Sequence, residues 1–267
     1  MSKKRKMISI GIIIALLAVI VIGIILTQKN IEKEPLQIVM KDAVLHDVNR
    51  ISLFGIIDVN PGLIAAFCVT GGLLILCLIL RIFVIPKFTI IPGKFQLLLE
   101  QAVGLFDNMA KNASPHLNNF MGSYIFAAGT YIFISTLFEL LGLQAVTTAG
   151  TSVALPAPLS DINGAIALAV LSFLVILSGG IIGNGIKGVG STLKDFSLPI
   201  SMSFRLFGAL LSGALVTELV YHSIALSFGL PIIVAVLFTL IHALIQAYVL
   251  TMLTSTFYGE VSEPSKK

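Results

Sequence analysis

Arg205 is the residue of this sequence with the clearest chemical potential, because it lies within a long apolar stretch. The nearest charged residues along the chain are Asp195, ten residues before it, and Glu218, thirteen residues after it. A charged side chain at the centre of a bilayer costs about 2.5 to 3.5 kcal/mol on insertion scales, so such a residue usually has a function. We expect Arg205 to take part in moving ions. The structural alternative is a static ion pair with Glu139 or Glu218 that holds helices together.

The helix face around Arg205 consists mainly of small residues. At helical spacing it carries Ser201, Gly208, Ala209, Ser212, Gly213 and Val216. Such a stripe usually allows two helices to pack closely. Beside an arginine it also suits a surface past which another helix slides, and both interpretations stay open at this stage.

Two further groups of polar residues lie in the last two long apolar stretches. In the last stretch, an aqueous path beside the arginine is predicted to be lined by Thr239, His242, Gln246 and Thr254. In the stretch before it, Glu218 and His222 are one helical turn apart near the outer end. A carboxylate and an imidazole can load and pass protons near neutral pH, since the ordinary pKa of histidine is about 6.5. The alternative to a proton-passing role is that Glu218 and His222 form an ordinary pair whose side chains reach into the membrane interface.

The elements that position these residues are membrane-spanning helices. Hydrophobic residues make up 57% of the 267 residues and charged residues 11%, with a mean hydropathy of +1.02, whereas soluble domains carry about 25% charged residues. The apolar runs are about 20 residues long, as a bilayer of about 30 Å requires. We predict an all-α integral membrane protein with about five spans, the last two forming a long tilted hairpin, and an extra N-terminal apolar segment. The predicted spans are 7–27, 62–85, 119–146, 164–182, 198–228 and 231–258.

Basic residues predict the topology. Three groups of basic residues lie where the order of spans requires a cytoplasmic segment. They are the cluster 3–6, the pair Lys87 and Lys94, and the pair Lys187 and Lys194. The apolar core of 7–27 is longer than the usual signal-peptide core of about 7 to 15 residues, which favours an uncleaved anchor over a signal peptide. The predicted regions are 1–28 as anchor or signal, 29–59 as an extracytoplasmic loop, 60–260 as the membrane domain and 261–267 as a cytoplasmic tail.

Two shorter segments are predicted to lie outside the hydrocarbon. Residues 92–114 place apolar side chains among polar and charged ones and predict an amphipathic helix on the cytoplasmic surface. Residues 156–163 carry two prolines followed by Ser160, Asp161 and Asn163, which predicts a turn and a helix N-cap.

Several function classes are disfavoured by the sequence. Cys68 and Cys77 lie in one apolar run without metal-ligand spacing, and the known nucleotide-binding and zinc motifs are absent from the sequence. The net charge of +4 equals the contribution of the basic residues 3–6, which we attribute to topology. We therefore expect no metal, cofactor, nucleic acid or directly bound nucleotide.

Four segments together resemble subunit a of F-type ATP synthases over about residues 55–260. They are FRLFG at 204–208, LIQAYVLTMLTSTFYG at 244–259, PAPLSDINGAIALA at 156–169 and PGKFQLLLEQ at 92–101. The resemblance implies a subunit that is not catalytic by itself, located in the bacterial plasma membrane beside a rotating c-ring, the b subunits of the peripheral stalk and lipid. It implies that Arg205 attracts each ring carboxylate and separates two half-channels, that Gln246 contacts this arginine, and that ion or proton flow is coupled to ATP synthesis.

The sequence departs from the family pattern at three positions. Ala209 stands where the family usually has asparagine, Ala214 where an acidic residue or histidine is frequent, and Thr239 where glutamate or histidine is frequent. Glu218 and His242 lie about one turn beyond two of these positions, so the channel-lining groups are predicted to have shifted along the helices. Secondary channel-lining candidates are Glu139, Asp161, Ser201 and Ser212.

Two other functional classes fit the sequence less well. A self-contained secondary transporter predicts internal repeats, broken spans and a midplane substrate site, and none is evident in the sequence. A structural scaffold has no need for an unpaired arginine within the membrane.

Overall fold

The computed structural model describes residues 51–53, 57–116, 118–146, 148, 150, 152–222 and 230–263, together with 11, 15, 16, 18, 19 and 22. Seven helices and two short β-hairpins make up most of the part from residue 51 onward. In chain order they are β1 (Ile51–Leu53), β2 (Ile57–Val59), α1 (Pro61–Ile79), α2 (Lys94–Ala113), α3 (Asn118–Leu137), β3 (Gln144–Val146), β4 (Ser152–Ala154), α4 (Ile162–Asn184), α5 (Ile186–Lys194), α6 (Ser197–His222) and α7 (Leu230–Ser262).

The all-α membrane fold predicted from the sequence is confirmed. Five helices among the described residues are long and apolar enough to cross a membrane: Pro61–Lys87, Phe120–Leu141, Ile162–Asn184, Ser197–Thr217 and Val236–Ser262. The predicted span 7–27 lies almost entirely outside the described residues, as do the basic cluster 3–6 and the turn at 227–229.

Side-chain caps and proline fix where two spans begin. Asn60 Oδ1 accepts a hydrogen bond from the Gly62 amide at 2.9 Å, and Pro61 occupies the first turn of α1, where its missing N–H leaves no bond unmade. Asp161 Oδ1 accepts from the Asn163 amide at 3.0 Å and begins α4. The N-cap predicted at 156–163 is therefore confirmed.

The third span differs from its predicted bounds. The α-helix ends at Leu137 and not near residue 146, and a 3-10 turn, Phe138–Leu141, continues it. Gly142 then adopts φ +58°, which closes the helix in the left-handed conformation that glycine tolerates. The predicted polar loop is a hairpin in which Gln144 pairs with Ala154. Glu139 consequently lies on the 3-10 turn.

The predicted cytoplasmic loop after the fourth span is also largely helical. Helix α4 continues to Asn184, and α5 begins two residues later, so Gly185 with φ +59° makes the only break within 162–194. A side chain at Gly188 would collide with the carbonyl of Gly180. Glycine at 188 thus lets α5 fold back onto α4.

Helix α2 confirms the predicted amphipathic helix, while its location on the bilayer surface stays a prediction. Its second half packs against α3, where Phe106 and Phe126 meet edge to face with ring centroids 5.7 Å apart. In its first half Phe95 and Leu98 are exposed.

The core that positions Arg205 lies where α3, α6 and α7 meet. Ile132 of α3, Leu206 and Leu210 of α6, and Leu250 of α7 are at most 5% exposed and belong to one buried cluster. Residues 206 and 210 are one turn apart, so this contact fixes which face of α6 turns inward. The opposite face of α6 is left uncovered.

Candidate functional site

Arg205 lies on the uncovered face of α6. Its neighbour Leu206 is 1% exposed, whereas Arg205 is exposed together with Ser201, Gly208 and Ser212, the residues at i−4, i+3 and i+7. A Cβ placed on Gly208 would have no atom of another side chain or segment within 4 Å. The part of the predicted small-residue stripe formed by Ser201, Gly208 and Ser212 is therefore uncovered within the described chain and open to a partner, whereas Ala209 and Gly213 are half-buried on the side of α7.

The static ion pair between Arg205 and Glu139 is not formed among the described residues. Among the described residues, no carboxylate oxygen lies within 4.0 Å of the Arg205 guanidinium. This excludes Glu139 as its direct ion-pair partner. The Glu218 side chain is outside the described residues, but thirteen residues of helix separate the two positions by about 20 Å, which is too far for a direct pair.

Gln246 faces the interior of the helix bundle. It is 6% exposed, and its neighbours Ala243 and Leu250 on the same face of α7 are at most 3% exposed. Within the described part of the chain, no hydrogen bond joins Gln246 to Arg205. The contact between these two residues stays a prediction.

A small crevice brings Glu139 together with two of the polar residues predicted to line a path in the last helix. Glu139 from the turn after α3, and Thr239 and His242 from α7, line one space of ≈ 10 Å³. A single water molecule needs about 10 to 15 Å³, so the crevice has room for about one water. Its remaining walls are Ala209, Leu210, Gly213 and Phe238. Small residues at 209 and 213 leave this space beside α6.

His242 has a defined orientation in this crevice. Its Nδ1 lies 2.7 Å from the Phe238 carbonyl oxygen, and its ring stacks on the Phe238 ring with centroids 5.8 Å apart and 13° between planes. A carbonyl oxygen only accepts, so Nδ1 must donate, and we assign Nε2 as the acceptor of the neutral ring. A proton arriving at His242 would therefore bind at Nε2.

The other nominated residues do not converge on this crevice. Asp161 lines a separate cavity of ≈ 370 Å³ with Gly62, Tyr131 and Asn163. Ser212 donates to the Ala209 carbonyl at 2.8 Å, and the fully buried Thr254 donates to the Leu250 carbonyl at 2.8 Å.

Two nominated side chains are not tested, and one relevant residue was missed. The side chains of Glu218 and His222 lie outside the described residues. Sequence reasoning missed Phe238, although its position one turn before His242 could have indicated the stack.

Comparison with known proteins places these observations in a family. A family model described as "ATP synthase A chain" matches residues 65–259, a range that includes Glu139, Arg205, His242 and Gln246. The chain belongs to the ATP synthase A chain family. The resemblance predicted from the sequence is thereby confirmed at the level of the family, and this member is a multi-pass membrane protein.

A curated relative in the same family is the chloroplastic ATP synthase subunit a of Bigelowiella natans. It is 36% identical over 121 residues, which are 41% of this chain and 48% of the relative. The chain thus spans about half the length of the curated relative it matches. Because this relative is a plastid protein, a bacterial plasma-membrane location stays a prediction.

Proposed function

We propose that this chain is the ion-translocating stator subunit of a rotary F-type ATP synthase. In this proposal, residues 60–260 supply Arg205 and two half-channels to a rotating ring of c subunits, and ion flow along this path is coupled to ATP synthesis elsewhere in the complex. The observation that carries the proposal is the exposed Arg205 on an uncovered small-residue face, with no carboxylate of the described chain within 4.0 Å.

The chemistry of Arg205 suits a ring that carries carboxylates. An arginine side chain stays protonated in proteins, and a fixed cation favours the ionised form of an approaching carboxylic acid. The exposed Ser201, Gly208 and Ser212 allow the ring helix to approach closely. The same fixed charge repels a free cation, which keeps ions from passing directly between the half-channels.

The crevice at Glu139, Thr239 and His242 is proposed to belong to one half-channel. Ala214 leaves an acidic position of the family vacant, and the crevice beside α6 brings in ionisable groups from the turn after α3 and from α7. Glu139 supplies a carboxyl group, and His242 supplies Nε2 as a proton acceptor. Asp161 and its cavity are proposed as a second polar region on the path, with Gln246, Glu218 and His222 as further lining groups.

The proposal also assigns partners and a location. The c-ring covers the Arg205 face, b subunits and lipid cover the other exposed apolar surfaces, and other subunits bind the nucleotide. The subunit itself has no catalytic activity, and the complex lies in the plasma membrane of a bacterium.

Cysteine cross-linking tests whether the Arg205 face meets the ring. In a complex with Cys68 and Cys77 replaced by serine, Ser212→Cys should form a disulfide with a cysteine introduced into the outer helix of the c subunit. Ser191→Cys, an exposed serine of α5, is the matched control and should not react. Equal cross-linking of the two variants, or none at Ser212→Cys for any ring position, would overturn the proposal.

A further inference from the structure

The C-terminal end of α7 is held by side chains from two distant segments. His116, in the connection between α2 and α3, places Nε2 2.9 Å from the Ser262 carbonyl oxygen and 3.1 Å from Ser262 Oγ. Asn184, the last residue of α4, donates from Nδ2 to the carbonyls of Val261 at 3.0 Å and Glu263 at 2.7 Å. Three successive carbonyls therefore accept bonds from outside their own helix.

These bonds satisfy groups that a helix cannot satisfy alone. The last four carbonyls of an α-helix lack an intrahelical partner and usually bond to water or to a local cap. The Ser262 carbonyl only accepts, so His116 Nε2 must carry a hydrogen. Both His116 and Asn184 thus act as donors, and each would lose its bonds if its donor were removed.

The backbones also approach closely at this end of α7. A side chain at Gly259 would collide with the Ala113 carbonyl at the end of α2, and a side chain at Gly183 would collide with the Ser262 backbone. Ser114 and Ser262 are fully buried, with their hydroxyl oxygens 3.5 Å apart. The contact is therefore tight in both backbone and side chains.

The rest of α7 is held less completely on the face opposite Gln246. On that face Leu237, Leu244 and Tyr248 are 52%, 55% and 57% exposed, so it is only partly covered within the described chain. A 33-residue helix transmits a displacement at one end along its length, because its backbone hydrogen bonds hold each turn to the next. A shift or rotation at Ser262 would move His242 and Gln246.

We propose that His116 and Asn184 are positioning residues that clamp α7 at a fixed height and rotation. The clamp keeps the His242 crevice and Gln246 in register with α6 while the ring exerts lateral force on α7. The functional part of this inference rests on the proposed stator function. The structural part, donation by two side chains to the end of α7, stands independently of it.

The test uses the assembled complex in liposomes and compares ions taken up per ATP hydrolysed. The variants are His116→Leu, which removes the ring donor, and Asn184→Asp, which keeps the shape and replaces the donor by an acceptor. His116→Gln restores an N–H donor and is the rescue variant. Asn108→Asp, at an exposed asparagine of α2, is the matched control.

The clamp predicts that both donor-removing variants lower the uptake-to-hydrolysis ratio by up to about a hundredfold, the order of effect that a displacement of about 1 Å can have at a catalytic centre. The rescue and control variants should keep the wild-type ratio. A fall of uptake and hydrolysis in proportion, with less complex in the membrane, would show a role in stability only and overturn the inference. Unchanged uptake-to-hydrolysis ratios in His116→Leu and Asn184→Asp would also overturn the inference.

Amide hydrogen exchange separates failure of the clamp from failure of the stator proposal. In the wild-type complex, residues 255–263 should exchange slowly, and His116→Leu should accelerate exchange there and not in α1. If exchange accelerates but ion uptake never depends on Arg205, the stator proposal fails while the structural clamp stands. If exchange at 255–263 is unchanged in both donor-removing variants, the clamp itself is wrong.

Discussion

A bulky side chain at Gly208 should slow the ring without destabilising this subunit. Gly208 lies one turn after Arg205 on the exposed face of α6, and a Cβ there would have nothing within 4 Å. The Cβ of Gly208→Leu therefore meets no other segment of the described chain, and the leucine side chain extends from the exposed face of α6. Leucine should even favour the helix relative to glycine, by somewhat less than the about 0.8 to 1 kcal/mol that separates alanine from glycine. Any loss of function must then come from a partner.

The expected magnitude follows from overpacking at that partner. Extra methylene groups in a well-packed contact cost about 1 to 3 kcal/mol. If the ring meets this cost at each step, the stepping rate falls about 5- to 160-fold, since about 1.36 kcal/mol corresponds to tenfold. ATP-driven ion uptake and ATP hydrolysis in proteoliposomes measure this rate. The matched control is Gly72→Leu in α1, because Gly72 is equally exposed and has nothing within 4 Å of a Cβ.

Two results would refute this reasoning. Uptake by Gly208→Leu within about twofold of wild type, a difference of about 0.4 kcal/mol, would mean that no helix packs against this face. An equal loss in Gly208→Leu and Gly72→Leu would mean that bulk anywhere on the surface impairs the complex.

Three further predictions concern the proposed path and the packing. Asp161→Asn should keep the N-cap, and with it the amount of folded complex, while lowering ion uptake. Asp161→Ala should in addition lose about 0.5 to 2 kcal/mol of stability, measured by thermal unfolding. Wild-type ion uptake in Asp161→Asn would mean that Asp161 serves only as the N-cap of α4. Glu139→Gln and His242→Leu should each lower ion uptake, measured by a pH- or ion-sensitive dye, while the amount of complex in the membrane stays unchanged. Wild-type uptake rates in both variants would show that the crevice is not part of the path. Gly259→Val should lower the melting temperature of the complex, because its side chain meets the Ala113 carbonyl and overpacking costs about 1 to 3 kcal/mol; an unchanged melting temperature would contradict this packing.

Much of the fold could be predicted because the bilayer restricts it. Apolar length alone located the five spans, and Asp161 marked the start of α4 through the ordinary chemistry of an N-cap. Arg205 stood out because a charge in an apolar helix is expensive. The sequence did not show that Arg205 faces outward. This depends on which side of α6 is packed, and only the tertiary contacts of Leu206 and Leu210 reveal that side.

The remaining features depend on contacts between distant parts of the chain. Glu139 and His242 are 103 residues apart in the sequence, so nothing local indicated that they share a crevice. The strands at 144–146 and 152–154 are too short for an alternating pattern to identify them. Likewise, the glycine at 188 reads as a loop signal, and only its contact with Gly180 shows that it allows two helices to cross.

The most direct test of the proposed mechanism is ion movement in liposomes that contain the complex with Arg205→Ala, with Arg81→Ala as the control at an exposed arginine outside the α6 face. ATP-driven uptake and passive ion flux under an imposed potential are recorded on the same vesicles. The stator mechanism predicts that Arg205→Ala abolishes uptake, with or without a new passive leak, while Arg81→Ala pumps like wild type. Uptake by Arg205→Ala near the wild-type rate would show that Arg205 is a structural charge and would contradict the mechanism.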